Sequence, residues 1–322
     1  MRRIFLLCML LAVTSVATAQ RVESDVNIVC HWGSISATLA EPESGSDTAI
    51  IIVAGSGPTD RNGNSQLSLN PYSYKMLSDG LVDSGFAVLR YDKRAIGGSQ
   101  IAAEAIPSLV FDDFVDDTLE CVKFLRDRGF SRVVMAGHSE GGLISLVAAR
   151  RGEPRIDGVV LLCAPGYSID KILLKQLNAQ LMPQYMSLVV VASKIVMRLK
   201  GGERVPEEDI PHELLSLFHP TVQPFLISNM QYDPQTVAAA CQQPMLIITG
   251  GHDIQVSTDN GERIAEVVPH AKHLTFERMT HVLKDFESTD RIEQVVNIYV
   301  NAKAPLTEGL VSSIAEFINN IE

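Results

Sequence analysis

Residues Ser131 to Arg150, S-R-V-V-M-A-G-H-S-E-G-G-L-I-S-L-V-A-A-R, pass from an apolar run through a glycine-framed serine into an amphipathic stretch. Val133 to Ala136 is continuous apolar sequence, the kind that forms a strand covered on both faces. Leu143, Ile144, Leu146 and Val147 then recur at helical spacing. Between the two, Gly137, Ser139 and Gly141 spell G-x-S-x-G, whose small residues let the chain turn tightly enough to lift the serine hydroxyl above the strand ends. Such residues coincide by chance in many chains, and the flanking strand and helix are the context that gives this motif weight. The first N–H groups of the helix are free and its dipole favours negative charge there. Ser139 is therefore a candidate nucleophile and the Glu140 N–H a candidate oxyanion donor. The structural alternative is a turn serine or helix cap.

The rest of the chain alternates strands and helices. Val26 to Trp32 and Ile35 to Leu39 read as an antiparallel pair turning at Gly33-Ser34. Apolar strands follow at Ala49–Ala54, Phe86–Tyr91, Gly158–Cys163, Pro244–Gly250 and Ala271–Glu277. Helical patterns occupy Tyr74–Asp83, Phe111–Arg128, Thr258–Val268, Arg291–Asn301 and Thr307–Ile321. This rhythm predicts a mostly parallel sheet with helices on both faces. It breaks between residues 168 and 240, where only helical patterns and glycine or proline stops occur, so that segment is expected to be a helical insertion. Its apolar run Met186–Met197 is short and carries Lys194, against a membrane span. The core domain is then 20–167 with 241–322.

Residues 1–19 have the form of a signal peptide: Arg2 and Arg3, an apolar run from Ile4 to Val13, and Ala17-Thr18-Ala19 as an A-x-A site. Export to a periplasm or beyond is expected, with no stable membrane insertion after cleavage. Cys30, Cys121, Cys163 and Cys241 are dispersed and lack C-x-x-C spacing, which indicates neither a metal site nor a disulfide scaffold. Their pairing is left open, as is the oligomeric state. A formal net charge of −11 argues against nucleic acid as a partner.

A serine hydroxyl needs a base, and the base needs an acid to orient it. Ser139, Asp253 and His281 follow in the chain order of the α/β-hydrolase fold, the acid after a late strand and the histidine after the last. With the G-x-S-x-G elbow, the loop Gly55-Ser56-Gly57-Pro58-Thr59-Asp60-Arg61-Asn62-Gly63-Asn64 and the segment Arg90 to Ser99, the mature chain resembles the α/β-hydrolase superfamily, in its esterase and serine-aminopeptidase-like branch with a helical cap. The resemblance implies that the N–H of Ser56 joins that of Glu140 in an oxyanion hole. Two departures stand out: Ala54 replaces the histidine that many relatives carry before the glycine, and Ala95-Ile96 interrupts the D-x-R-G-x-G-x-S pattern. Asp259 and Asp285 rival Asp253, and His273 rivals His281. Asp259 lies within a helix pattern, Asp285 follows the histidine, and His273 begins its strand, away from the edge where such sites assemble.

The reading is an exported serine hydrolase with an inserted helical cap, a carboxylesterase acting on short- to medium-chain acyl esters through an acyl-serine, without metal or cofactor. Ile172, Leu173, Leu177, Leu188, Val189 and Val190 are the candidates for an acyl pocket, with some of them expected to pack the helical segment on itself instead. A prolyl-type aminopeptidase would need a clamp for the substrate ammonium, for which Glu203, Glu207, Glu208 and Asp209 are the candidates, although the breaks at Pro206 and Pro211 make this charge run read as a solvated loop. A lipase is a third reading, and a non-catalytic binding protein on this fold a fourth.

Overall fold

The computed structural model describes residues 21–65 and 69–321, apart from the side chain of residue 180; the signal peptide expected over 1–19 lies outside the described residues. Eight strands form one sheet: β1 (Arg21–Cys30), β2 (Gly33–Pro42), β3 (Thr48–Val53), β4 (Ala87–Tyr91), β5 (Arg132–His138), β6 (Gly158–Leu162), β7 (Met245–Gly250) and β8 (Lys272–Phe276). Their order across the sheet is β1-β2-β4-β3-β5-β6-β7-β8. β2 runs antiparallel to both neighbours, and every pairing from β4 to β8 is parallel. This is the α/β-hydrolase fold.

The apolar runs are buried on two sides because alternate residues serve different layers. Ala49, Ile51 and Val53 of β3 pack beneath α2 (Phe111–Asp127) and α3 (Glu140–Arg151), while Ile50 and Ile52 face α1 (Ser73–Asp83) and the last long helix. Between β6 and β7 lie α4 (Ile169–Leu181), α5 (Met186–Lys200), α6 (Leu215–Phe218), α7 (Gln223–Asn229) and α8 (Pro234–Ala239), with no strand among the described residues. This segment has an apolar cluster of its own around Ala192, Val196, Leu199 and Phe218. Val237 and Ala238 of α8, in contrast, pack into the sheet core. After β7 come α9 (Asp259–Ala265), α10 (Arg291–Gln294) and α11 (Leu310–Asn319). No helix among the described residues is long and apolar enough to cross a membrane.

Two local expectations are corrected. The first turn falls at His31-Trp32, with Cys30 paired to Gly33, rather than at Gly33-Ser34. Trp32 leaves the ladder because its ring has better partners: its Nε1–H donates to Asp117 Oδ1 at 2.7 Å, and the Arg94 guanidinium lies 4.6 Å from the ring centroid. The helix expected over Arg291–Asn301 stays α-helical only to Gln294 and widens into a π-helical turn over Val295–Tyr299, a distinction that apolar spacing does not carry.

Asp117 also binds Arg94 bidentately, through Nε at 2.9 Å and Nη2 at 2.7 Å. The pair is almost wholly buried, and it fixes the loop after β4 against α2. Replacing Asp117 by Ala would leave the buried guanidinium only Asp113, at 3.1 Å, and unpair the Trp32 N–H, so urea unfolding should report a loss of about 3 kcal/mol, the low end for a broken buried pair; a change within ~0.5 kcal/mol, the range of an ordinary surface substitution, would refute that role.

Candidate active site

β3, β5, β7 and β8 are parallel, so their C-terminal ends share one edge of the sheet, and the loops leaving it carry Ser56, Ser139, Asp253 and His281. Contact dictates the glycines of the elbow. A Cβ on Gly137 would sit 2.3 Å from the Gly141 carbonyl oxygen, and one on Gly141 2.2 Å from that of Val53. Only glycine lets α3 start so close to β5 and β3. Ser139 between them has φ 52° and ψ −125°, a strained backbone held by its N–H on Leu162 O and by Gly142 N–H on its own carbonyl, each at 2.9 Å.

Asp253 and His281 meet across the β7 and β8 loops. His281 Nδ1 lies 2.7 Å from Asp253 Oδ2, while Asp253 Oδ1 accepts the N–H groups of Gln255 and Val256 at 2.8 and 2.9 Å. Burial pushes the Asp253 carboxyl up, yet the charge and hydrogen bond of His281 and these two N–H groups outweigh it and hold its pKa below the ordinary value. An ionised Asp253 only accepts, so His281 carries its proton on Nδ1 and keeps Nε2 free as a base. Ser139 and His281 line one cavity, although no Ser139–His281 hydrogen bond is formed among the described residues. Ser56 and Glu140 flank Ser139 on a second cavity, and neither of their N–H groups meets a protein acceptor among the described residues.

The second cavity, about 500 Å³, opens between the sheet edge and the helical segment, with Phe114, Leu143, Ile172, Leu173 and Phe225 on its walls. Of the expected acyl-pocket residues, only Ile172 and Leu173 line it. Leu177 and Val189 are buried elsewhere in the helical segment, Leu188 is half-buried off the cavity and Val190 points to solvent, because an amphipathic helix divides its apolar residues between its own core and the site. Glu203, Glu207, Glu208 and Asp209 stay outside the cavity, where Arg198 pairs with Glu203 and Asp209, and His219 lies 3.5 Å from Glu207. Among the described residues its one lining carboxylate is Glu140, paired with Lys93 at 3.3 Å.

The rival residues are engaged elsewhere. His273 lies 3.2 Å from Thr249 Oγ1, Asp259 pairs with Lys175, and Asp285 accepts from Thr307. Cys163, Asp253 and His281 bring possible ligand atoms within 4.8 Å of one another. Burial keeps the Cys163 thiol well above its ordinary range, and the other two are bound to each other, so this is a poor setting for the thiolate that a metal would require. Burial also lifts Cys30 and Cys241 to about 11, and the four cysteines among the described residues are free.

The sequence marks neither Tyr74, Lys93 nor His138 as catalytic. His138 Nε2 lies 2.7 Å from the His281 carbonyl, and its Nδ1 lies 2.8 Å from the Tyr74 hydroxyl, which accepts the Gly55 N–H at 3.0 Å. A carbonyl only accepts, so Nε2 bears the proton and the chain runs in one sense, joining the Ser56 loop to the His281 backbone. The adjacency of a histidine to the elbow serine was the one visible signal.

The chain belongs to the serine aminopeptidase, S33, family of hydrolases (Hydrolase_4), whose pattern matches residues 72–287. Esterase EstD of Thermotoga maritima is 29% identical over 245 residues, 74% of this chain and 55% of that protein, so the chain spans about half the length of this relative. Among solved structures, the Pyrococcus furiosus esterase Pf2001 superposes with a TM-score of 0.58 at 19% identity, covering 93% of this chain and 91% of that one. Est1E of Butyrivibrio proteoclasticus, solved with ferulic acid, gives 0.59 at 18% identity, over 92% and 98%. The chain thus belongs to a hydrolase family on the α/β-hydrolase fold and is similar to these esterases.

Burial, reinforced by the neighbouring His281, lowers His138 from 6.5 to about 3. An unfolded histidine protonates near ~6.5, so below that pH the unfolded chain binds a proton that the native chain refuses. The stability tied to neutral His138 is complete above 6.5 and drains away as pH falls toward 3. Urea midpoints measured from pH 7.5 down to about 4.5 should therefore decline less steeply for His138→Asn than for the wild type; equal slopes would show that His138 is not the group responsible.

Proposed function

We propose that this chain is an exported serine carboxylesterase that cleaves short- to medium-chain acyl esters through an acyl-serine. Ser139 attacks the ester carbonyl, and His281 Nε2 takes its proton and returns it to the leaving alcohol. Asp253 holds the imidazole in that tautomer and stabilises the imidazolium. The N–H groups of Ser56 and Glu140 receive the oxyanion. Water then attacks the acyl-serine with His281 again as base. The leader-like residues 1–19 carry the proposal of export.

One observation favours esters over aminopeptidase substrates: the cavity beside Ser139 is walled by apolar side chains, and the carboxylate on its wall, Glu140, already pairs with Lys93. A substrate ammonium placed there would lose water and meet Lys93 and Arg94 in return. The esterase relatives agree with this choice.

A fluorophosphonate probe should label the wild type at Ser139, and Ser139→Ala should abolish labelling and cut turnover of p-nitrophenyl butyrate by roughly 10⁴-fold or more. Aminoacyl and prolyl p-nitroanilides should react far more slowly than the butyrate ester, and the rate should not jump as long-chain esters pass their solubility limit. Labelling that survives in Ser139→Ala would move the nucleophile, whereas faster amide turnover or an interfacial jump would hand the protein to the peptidase or the lipase reading.

A further inference from the structure

A peptide that donates to an oxyanion must be aimed, and Ala54, which precedes Gly55, has no polar side chain to aim it. Gly55 is gripped on both sides by buried side chains. Its N–H donates to the Tyr74 hydroxyl, and its carbonyl oxygen accepts from Lys93 Nζ at 2.5 Å. Lys93 follows β4 and is 4% exposed. Its ammonium also lies 3.3 Å from Glu140 Oε1 and 5.7 Å from the centroid of the Phe114 ring. These contacts bring a full positive charge to the two loops that carry the proposed oxyanion donors.

In a trans peptide the carbonyl of one residue and the N–H of the next share a plane and point in opposite directions. Lys93 pulls the Gly55 oxygen to one side, so the N–H of Ser56 is turned to the other. Gly55 itself abuts the elbow, since a Cβ built on it would lie 3.1 Å from Ser139 Cβ. A charged donor on the carbonyl also polarises the peptide and makes its N–H a stronger donor. The ion pair with Glu140 then holds the second donor residue against the first.

We propose that Lys93 is the positioning residue of the oxyanion hole, fixing and polarising the Gly55–Ser56 peptide so that the Ser56 N–H meets the charge that develops on the ester carbonyl. This rests on the serine esterase reading. It predicts a residue that touches no reacting atom yet acts on the transition state alone.

The experiment compares the wild type with Lys93→Met, which keeps the bulk but loses charge and donor. Readouts are kcat and KM for p-nitrophenyl butyrate and Ki for two inhibitors with the same alkyl chain: a trifluoromethyl ketone, whose serine adduct carries an oxyanion, and the corresponding secondary alcohol, which does not. Removing one oxyanion donor outright costs about 10²–10³ in kcat, and loss of its support should cost about 10–100-fold, with KM changed less than about threefold. Ki for the ketone should rise by the same factor as kcat falls, while Ki for the alcohol holds. Lys93→Gln, a neutral donor, carries the same comparison if the Met variant does not fold, and its ketone-to-alcohol Ki ratio must rise too. An unchanged kcat, a rise in KM alone, or inhibitor constants that climb together would make Lys93 a pocket or packing residue and overturn the proposal. A wild type that neither reacts with the fluorophosphonate nor turns over the ester would instead sink the esterase reading beneath it.

Discussion

The start of α3 presses against the end of β3 so closely that the Val53 carbonyl oxygen occupies the space a side chain at residue 141 would need. The same squeeze places Gly137 against the Gly141 carbonyl and leaves Ser139, between them, in a backbone conformation that residues with side chains rarely adopt. Strain of this kind, of order 1–3 kcal/mol, persists only where the surroundings over-determine it. Here those surroundings are β3, β5 and β6, three buried parallel strands whose hydrogen bonds and apolar faces cannot yield locally. The raised serine is the consequence of a sheet too well packed to let the turn relax.

Around the elbow the chain uses buried polar groups in pairs. The segment Asp92 to Arg94 leaves the end of β4 and sends successive residues in different directions. Asp92 accepts the backbone N–H and guanidinium of Arg61, which ties down the glycine-rich loop after β3. Lys93 reaches the carbonyl of Gly55 and the carboxylate of Glu140, and Arg94 crosses to Asp117 and Trp32. Each charge is desolvated, and each is matched, which makes such a network costly to break at one end. With Tyr74 of α1 on the Gly55 N–H and Ser36 and Thr38 of β2 on the Arg61 guanidinium, the glycine-rich loop is held by side chains from three other parts of the chain, although its own composition would favour mobility.

The helical segment between β6 and β7 plays a different part. Its helices divide their apolar residues between a core of their own and the roof of the cavity, while its acidic turn faces solvent and basic neighbours. Apolar character alone does not say which of those two surfaces a residue will join; that depends on how the helices cross and on where α7 settles over α2.

The parallel core was written in the sequence because strands buried on both faces must be apolar throughout, so Ala49–Ala54, Val133–Ala136 and Pro244–Gly250 announce themselves without knowledge of their neighbours. The elbow was legible for a related reason: its glycines answer a steric demand that is local in the chain, within a single strand-turn-helix unit. Asp253 and His281 were picked out by their order after late strands, but order gives no distance; their contact at 2.7 Å exists only because β7 and β8 are adjacent and parallel. The turn at Trp32 was misplaced because the partners that draw it out of the strand, Asp117 and Arg94, are remote in sequence. The contacts of Tyr74, His138 and Lys93 with the loop backbones were not legible for the same cause. Their side chains are ordinary, and what distinguishes them is the backbone atom each one reaches, a property that the sequence does not carry and that the packing of α1, β4 and β5 around Gly55 alone decides.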